Sequence, residues 1–171
     1  IQASKESTWN KCYLLILMAI TSGARRGELQ KLLGLHRKDK DQVHCKDTKN
    51  GTDKTLHLTD AVIAELKKYR EIGNGFIFCH PKRVQSPYDF RHEWNEALKK
   101  AEIQIVNEKG EKLVFHSLRH TFCSTLANSG AELHEIASLA GHRSIQTTMR
   151  YTHLSNQRLE SVINKTFNKL G

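Results

Sequence analysis

The sequence predicts a mainly α-helical domain with a small antiparallel β-sheet, an α+β class. Apolar residues recur at helical spacing through most of the chain, as in Leu118, Phe122 and Leu126 at i, i+4 and i+8. One stretch alternates instead: Leu56 and Leu58 fall between polar neighbours, close to an Asn50-Gly51 pair, a strong hairpin signal. The chain has 171 residues, 38% hydrophobic and 26% charged, enough for one domain with a real core. It shows no Pro- or Ser-rich linker and no repeat, so residues 1–171 read as a single domain.

The elements follow in order. WNKCYLLILMAITSG predicts a buried helix that ends at Gly23, a natural residue for a left-handed stop. After a basic turn, GELQKLLGL predicts a second helix through Leu29, Leu32 and Leu33, with Glu28 in the first turn, where a carboxylate suits the dipole. QVHCKDTKNGTDKTLHLT is a hairpin with Lys49 at its tip. Thr59 or Asp60 caps AVIAELKKYRE, whose Val62, Ile63 and Leu66 share a face. GFIFCH is a short strand or buried loop, and SPYDFRHEWNEALKKAEI is a helix. HSLRHTFCSTLANSG is the next helix, closed by Gly130, with Arg119 at the edge of its buried face. ELHEIASLAGHRSIQTTMRY is two helices: Gly141 ends the first, and Ser144 caps the second, which runs into Tyr151. Leu159, Val162 and Ile163 pattern a last helix.

Lys plus Arg number 27 against 18 for Asp plus Glu, a formal charge of +9. That excess favours a polyanionic partner, nucleic acid first and acidic membrane second. Runs such as His36-Arg37-Lys38 and Lys67-Lys68 read as solvated faces. Cys12, Cys45, Cys79 and Cys123 lack CxxC pairing, which suits reduced cytosolic thiols better than a disulfide framework. The longest apolar run, Cys12 to Ile20, is too short to span a membrane, and no signal peptide is visible. The chain begins with Ile1, as expected of a piece of a longer protein.

Arg25, Lys49, His116, Arg119, His142 and Tyr151 stand at element ends. Two arginines, a lysine and two histidines form a cationic set suited to a phosphate, because guanidinium forks match its oxygens and stay charged at any pH. Such a set also neutralises the charge of a phosphorane-like transition state. Tyr151 would then be a nucleophile, its phenolate favoured by nearby cations. Each residue also has a plainer reading. Arg25 is a turn residue paired to Glu28, Lys49 a solvated hairpin lysine, His116 a helix-start histidine, His142 part of a helix stop, and Tyr151 packing.

Taken together, the segments resemble the catalytic domain of the tyrosine recombinases, the phage integrase family of site-specific DNA recombinases. GARRGELQKL resembles the family's first arginine box, with the catalytic arginine at Arg25. HSLRHTF resembles the His-x-x-Arg box, giving His116 and Arg119. LAGHRSIQTTMRYTH resembles the terminal box, with His142 and the nucleophile Tyr151. TKNGTDKTLHLT resembles the hairpin that carries the catalytic lysine, placed at Lys49, although Lys46 and Lys54 lie close by. The family's N-terminal DNA-clamping domain is expected to be separate from these residues.

The resemblance implies that Tyr151 attacks a backbone phosphate, forms a 3′-phosphotyrosyl link and releases a 5′-hydroxyl. Arg25 and Arg119 would bind the non-bridging oxygens, His116 would assist proton transfer around the tyrosine, and His142 would donate a hydrogen bond to the phosphate. Lys49 would protonate the leaving oxygen, and Glu28 would support Arg25. The covalent link keeps the energy of the broken bond, so no cofactor, ATP or metal is implied. The implied partner is double-stranded DNA at specific sites, bound by a homotetramer on synapsed DNA, with a monomer for the isolated domain. The implied setting is the nucleoid of a bacterial cell. Arg143 and Arg150 flank the terminal box as candidate contacts to the DNA backbone.

Three rivals stay open at this point. ELHEIASLAGHRSIQTTMRY has the look of a non-catalytic helix-turn-helix DNA-binding module. A type IB topoisomerase-like strand transferase shares the chemistry. His116 and His120 have the i, i+4 spacing of metal ligands, but without a HExxH glutamate or a third ligand His120 reads as a packing or supporting histidine.

Overall fold

A computed structural model describes residues 1–32, 37–39, 42–45, 54–72, 75–80, 82–108 and 110–153. Lys49, Lys46, Leu33 and the last predicted helix lie outside the described residues. The chain divides into two compact units, Ile1–Arg119 and His120–Gly171. Among the described residues no helix is long and apolar enough to cross a membrane.

The first unit is built on α1 (Cys12–Ser22), apolar on nearly every side. Leu14, Leu15 and Met18 are fully buried, as a helix hydrophobic all round must be in a core. Gly23 stops it in the left-handed region, φ 61°, with its N–H on Ala19 O at 3.1 Å. The second helix, α2 (Arg26–Gln30), is shorter than the leucine pattern predicts. Leu32 has left it: the Leu32 N–H bonds Leu29 O, and the Leu32 carbonyl accepts Ile77 N–H at 2.8 Å. That tertiary hydrogen bond takes over the carbonyl while Leu29 and Leu32 both stay fully buried.

The predicted hairpin is present as β2 (Gln42–Cys45) and β3 (Lys54–His57), antiparallel with Val43 opposite Leu56. Both residues are buried, so the inward face alternates as a two-residue period requires. A third strand, β1 (Arg37–Asp39), pairs with β2 and completes the order β1-β2-β3. It overlaps the basic run His36-Arg37-Lys38 of the sequence.

Thr59 caps α3 (Asp60–Leu66), its hydroxyl accepting Val62 N–H at 3.5 Å. The α-helix gives way at Lys67 to a 3-10 turn, and Tyr69 Oη there donates to Asn10 O at 2.6 Å. GFIFCH combines both expected forms, with Ile77 and Phe78 buried in a turn and β4 (Cys79–His80) pairing with β5 (Arg83–Pro87). The segment read as one helix from Ser86 therefore begins as a strand, and α4 spans only Arg91–Lys100. Asp89 marks the change, since its carboxylate accepts Arg91 N–H at 3.3 Å. Trp9 lies 4.4 Å from Tyr88 between ring centroids, and Phe90 lies 4.7 Å from Phe115, closing the core of this unit.

The two units meet in sequence inside α5 (Ser117–Asn128). In the second unit Phe122, Cys123 and Ala127 of α5 pack with Ile136 and Ala140 of α6 (Leu133–Ala140), and with Tyr151. Gly130, at φ 89°, closes α5. Gly141, at φ 70°, closes α6. The last described α-helix, α7 (Gln146–Met149), is a single turn, and Ser144 Oγ accepts Gln146 N–H at 3.3 Å. All four cysteines are buried thiols, and burial pushes the Cys12 thiol up from its ordinary range.

Candidate active site

In the first unit the functional side chains gather on the turn between α1 and α2. Gly23 turns the chain, and Arg25 follows in extended conformation as the residue before α2, φ −71° and ψ 150°. Glu28 then reaches back twice. Its Oε2 accepts Arg25 N–H at 2.9 Å and its Oε1 accepts Arg25 Nη1 at 2.7 Å. The Glu28 side chain is 3% exposed and that of Arg25 28%. The buried carboxylate is thus charge-paired, as burial demands, while part of the guanidinium still faces outward.

Arg119 arrives at the same turn from α5. It is 3% exposed, more deeply buried than the edge position predicted, and its Nη1 donates to Gly23 O at 2.7 Å. That carbonyl lies at the C-terminus of α1, where the helix dipole is negative and a cation is favoured. Both arginines are therefore held on one turn, at residues 23 and 25–28. His116 stands at the start of α5, exposed, with its carbonyl accepting Arg119 N–H at 3.1 Å.

In the second unit the terminal box is organised by Gly141, which sends His142 N–H back to Ala137 O at 2.9 Å. His142 Nδ1 lies 2.8 Å from the hydroxyl of Thr148, which is fully buried. Tyr151 follows α7, with its N–H on Thr148 O at 2.9 Å and 5% exposure. Its hydroxyl lies 2.7 Å from His120 Nδ1. Arg143 and Arg150 are exposed.

Two residues enter that the sequence reading did not single out for this role. His120, a packing or supporting histidine by sequence, touches the Tyr151 hydroxyl. Thr148 had no assignment, yet it holds His142. The signal for His120 was its place directly after Arg119. No periodicity could pair it with a tyrosine 31 residues on.

Comparisons with known proteins agree with this architecture. The family model described as the phage integrase family matches residues 1–158. The tyrosine recombinase XerC of Chlorobaculum parvum is 30% identical over 148 residues, which are 80% of this chain and 44% of that protein. The catalytic domain of bacteriophage HP1 integrase superposes with a TM-score of 0.69 at 23% identity, over 95% of this chain and 86% of that one. XerH site-specific recombinase, in a post-cleavage complex with palindromic difH substrate, superposes with a TM-score of 0.70 at 24% identity, over 95% of this chain and 49% of that one. These two superpositions show the same fold. The chain spans less than half the length of the curated relatives it matches.

Proposed function

The chain belongs to the phage integrase family, and on that premise we propose that it cleaves and rejoins DNA strands at specific sites through a covalent link to Tyr151. The Tyr151 oxygen attacks the phosphorus, the bond to the 5′-oxygen breaks, and a 3′-phosphotyrosyl link remains. A 5′-hydroxyl from a second strand reverses the step and joins the DNA in a new combination. No net phosphoester bond is lost, so the cycle draws on no ATP and no metal.

In this reading Arg25 and Arg119 bind the non-bridging oxygens and hold the extra negative charge of the transition state. Glu28 supports Arg25, fixing both its backbone and its guanidinium. His116 serves proton transfer near the tyrosine, His142 donates to the phosphate, and Lys49 protonates the leaving 5′-oxygen. Arg143 and Arg150 lie in the terminal box as contacts to the DNA backbone. The working form is a homotetramer on synapsed duplex DNA at the nucleoid, with these residues acting as the catalytic domain beside a separate DNA-clamping domain. Cleavage at mobile-element or phage attachment sites is the favoured role.

The observation that carries the reading is the attachment of Arg119 to the turn that holds Arg25. A simple helix-turn-helix has no need of two arginines drawn to one turn from distant parts of the chain. The single turn of α7 also offers little length for a major-groove helix.

The test uses a pool of nicked duplexes with randomised sequence, whose nick lets the cleaved strand escape and traps the covalent species. Protein bound to DNA after denaturation is expected for the wild type and absent for Tyr151→Phe, with non-covalent binding retained by the variant. An adduct formed equally by Tyr151→Phe would refute the assignment.

A further inference from the structure

We propose that His120 holds the Tyr151 hydroxyl for attack and takes its proton as the bond to phosphorus forms. The inference rests on the reading of Tyr151 as the nucleophile and names the group that activates it. His120 Nδ1 and Tyr151 Oη are 2.7 Å apart, within direct hydrogen-bond reach and with no intervening water needed. The tyrosine is 5% exposed and packed among Phe122, Cys123, Ile136 and Ala140, so its ring has little freedom to wander.

The chemistry requires such a group. A phenol, with an ordinary pKa of about 10, is protonated at neutral pH and attacks poorly in that form. An imidazole nitrogen on the hydroxyl removes the difficulty, because the proton leaves as the new bond forms and a bare phenolate is never needed. The required tautomer carries its proton on Nε2, which leaves Nδ1 to accept from Oη.

The step balances. The Oη–P bond forms, the P–O5′ bond breaks, and the phenolic proton passes to Nδ1 to give an imidazolium. The 5′-oxygen takes its proton from the acid, Lys49 in the reading above. In rejoining, the 5′-hydroxyl attacks the phosphotyrosine and gives its proton back to Lys49, the Oη–P bond breaks, and the imidazolium returns its proton to Oη as that bond breaks. His120 therefore handles the phenolic proton in both directions, as microscopic reversibility demands, and the part of His116 is reduced to assistance.

The test compares wild type, His120→Ala and His120→Asn in single-turnover adduct formation, on nicked duplexes that the wild type recovers from the randomised pool. Asparagine places an amide oxygen near the position of Nδ1, so it can hold the hydroxyl but cannot take a proton. It also keeps the shape of the site if the alanine variant folds poorly. Both variants are expected to form adduct about 100-fold more slowly, with DNA binding within about twofold of wild type. Added imidazole is expected to restore cleavage to His120→Ala, which loss of packing alone would not explain. Wild-type rates in either variant, or a folded His120→Ala that imidazole leaves unchanged, would overturn the inference. Failure of the wild type itself to capture any DNA would overturn the reading of Tyr151 instead, so the two failures are distinct.

Discussion

In the first unit α1 ends at Gly23 with φ 61°, and in the second α6 ends at Gly141 with φ 70°. Each glycine releases the chain into a tight turn, and each turn delivers a polar side chain within two residues, Arg25 in one and His142 in the other. The contacts that follow differ in kind. After Gly23 the partners are charged or strongly dipolar: Glu28 holds Arg25, and the Gly23 carbonyl at a helix C-terminus holds Arg119. After Gly141 they are groups that share or pass a proton: His142 meets Thr148, and His120 meets Tyr151. The same backbone device thus presents fixed positive charge in one unit and titratable hydrogen bonds in the other. Under the proposed strand transfer, the contacts after Gly23 would serve the anion and those after Gly141 the proton.

The comparison breaks most sharply at Arg119. Arg119→Lys keeps the charge but loses the planar fork and its reach to the Gly23 carbonyl. Adduct formation is expected to fall by about 100-fold or more, with the protein still folded. A single-turnover assay at saturating protein checks this, and a loss under threefold would show that charge alone suffices in the first unit.

A smaller effect separates the platform from the chemistry. Tyr88 Oη donates to Glu93 Oε1 at 2.5 Å, and Glu93 Oε2 has no hydrogen-bond partner among the described residues. Tyr88→Phe removes the hydrogen-bond partner that this buried carboxylate has among the described residues and is expected to destabilise the first unit by about 1–3 kcal/mol. Cleavage well below the melting temperature should stay unchanged. The hydrogen bond to Glu93 pushes the Tyr88 pKa up to about 12. The folded state therefore keeps a proton that the unfolded chain releases near pH 10. The contribution is fully present below pH 10 and is lost as pH rises through about 12. Urea melts of wild type and variant should differ by a constant amount at neutral pH and converge above pH 10. A gap that stays constant up to pH 12 would contradict the assigned bond.

The smallest effect is a gain. Glu102 follows α4 at φ 54°, the one described non-glycine residue in the left-handed region, with its N–H on Lys99 O. Glu102→Gly relieves that conformation and is expected to stabilise the protein by about 1 kcal/mol. Adduct formation should not change. A drop in melting temperature would show that the glutamate side chain matters more than its backbone.

These same regions show what the sequence made legible. Helix stops at Gly23, Gly130 and Gly141 were readable because a left-handed turn favours glycine for a local steric reason. The Arg25–Glu28 pair was readable because its members stand three apart and need no tertiary information. The strand β1 was hidden because Arg37-Lys38-Asp39 carries no apolar alternation to mark it. The true start of α4 was hidden because Pro87 pairs with Cys79, on a strand that only the folded chain brings near. His120 was hidden for the same reason on a larger scale. Its partner is far along the chain, and a histidine one position past an arginine looks like packing until the tyrosine is seen against it.

The account stands on a covalent bond at one oxygen atom. Its most direct test is to trap the protein on nicked duplex DNA, digest the adduct and sequence the peptide that carries the nucleotide. The account predicts a single modified residue, Tyr151, joined to a 3′-phosphate with a free 5′-hydroxyl on the released strand. A nucleotide on any other residue, or a 5′-phosphate linkage, would contradict it.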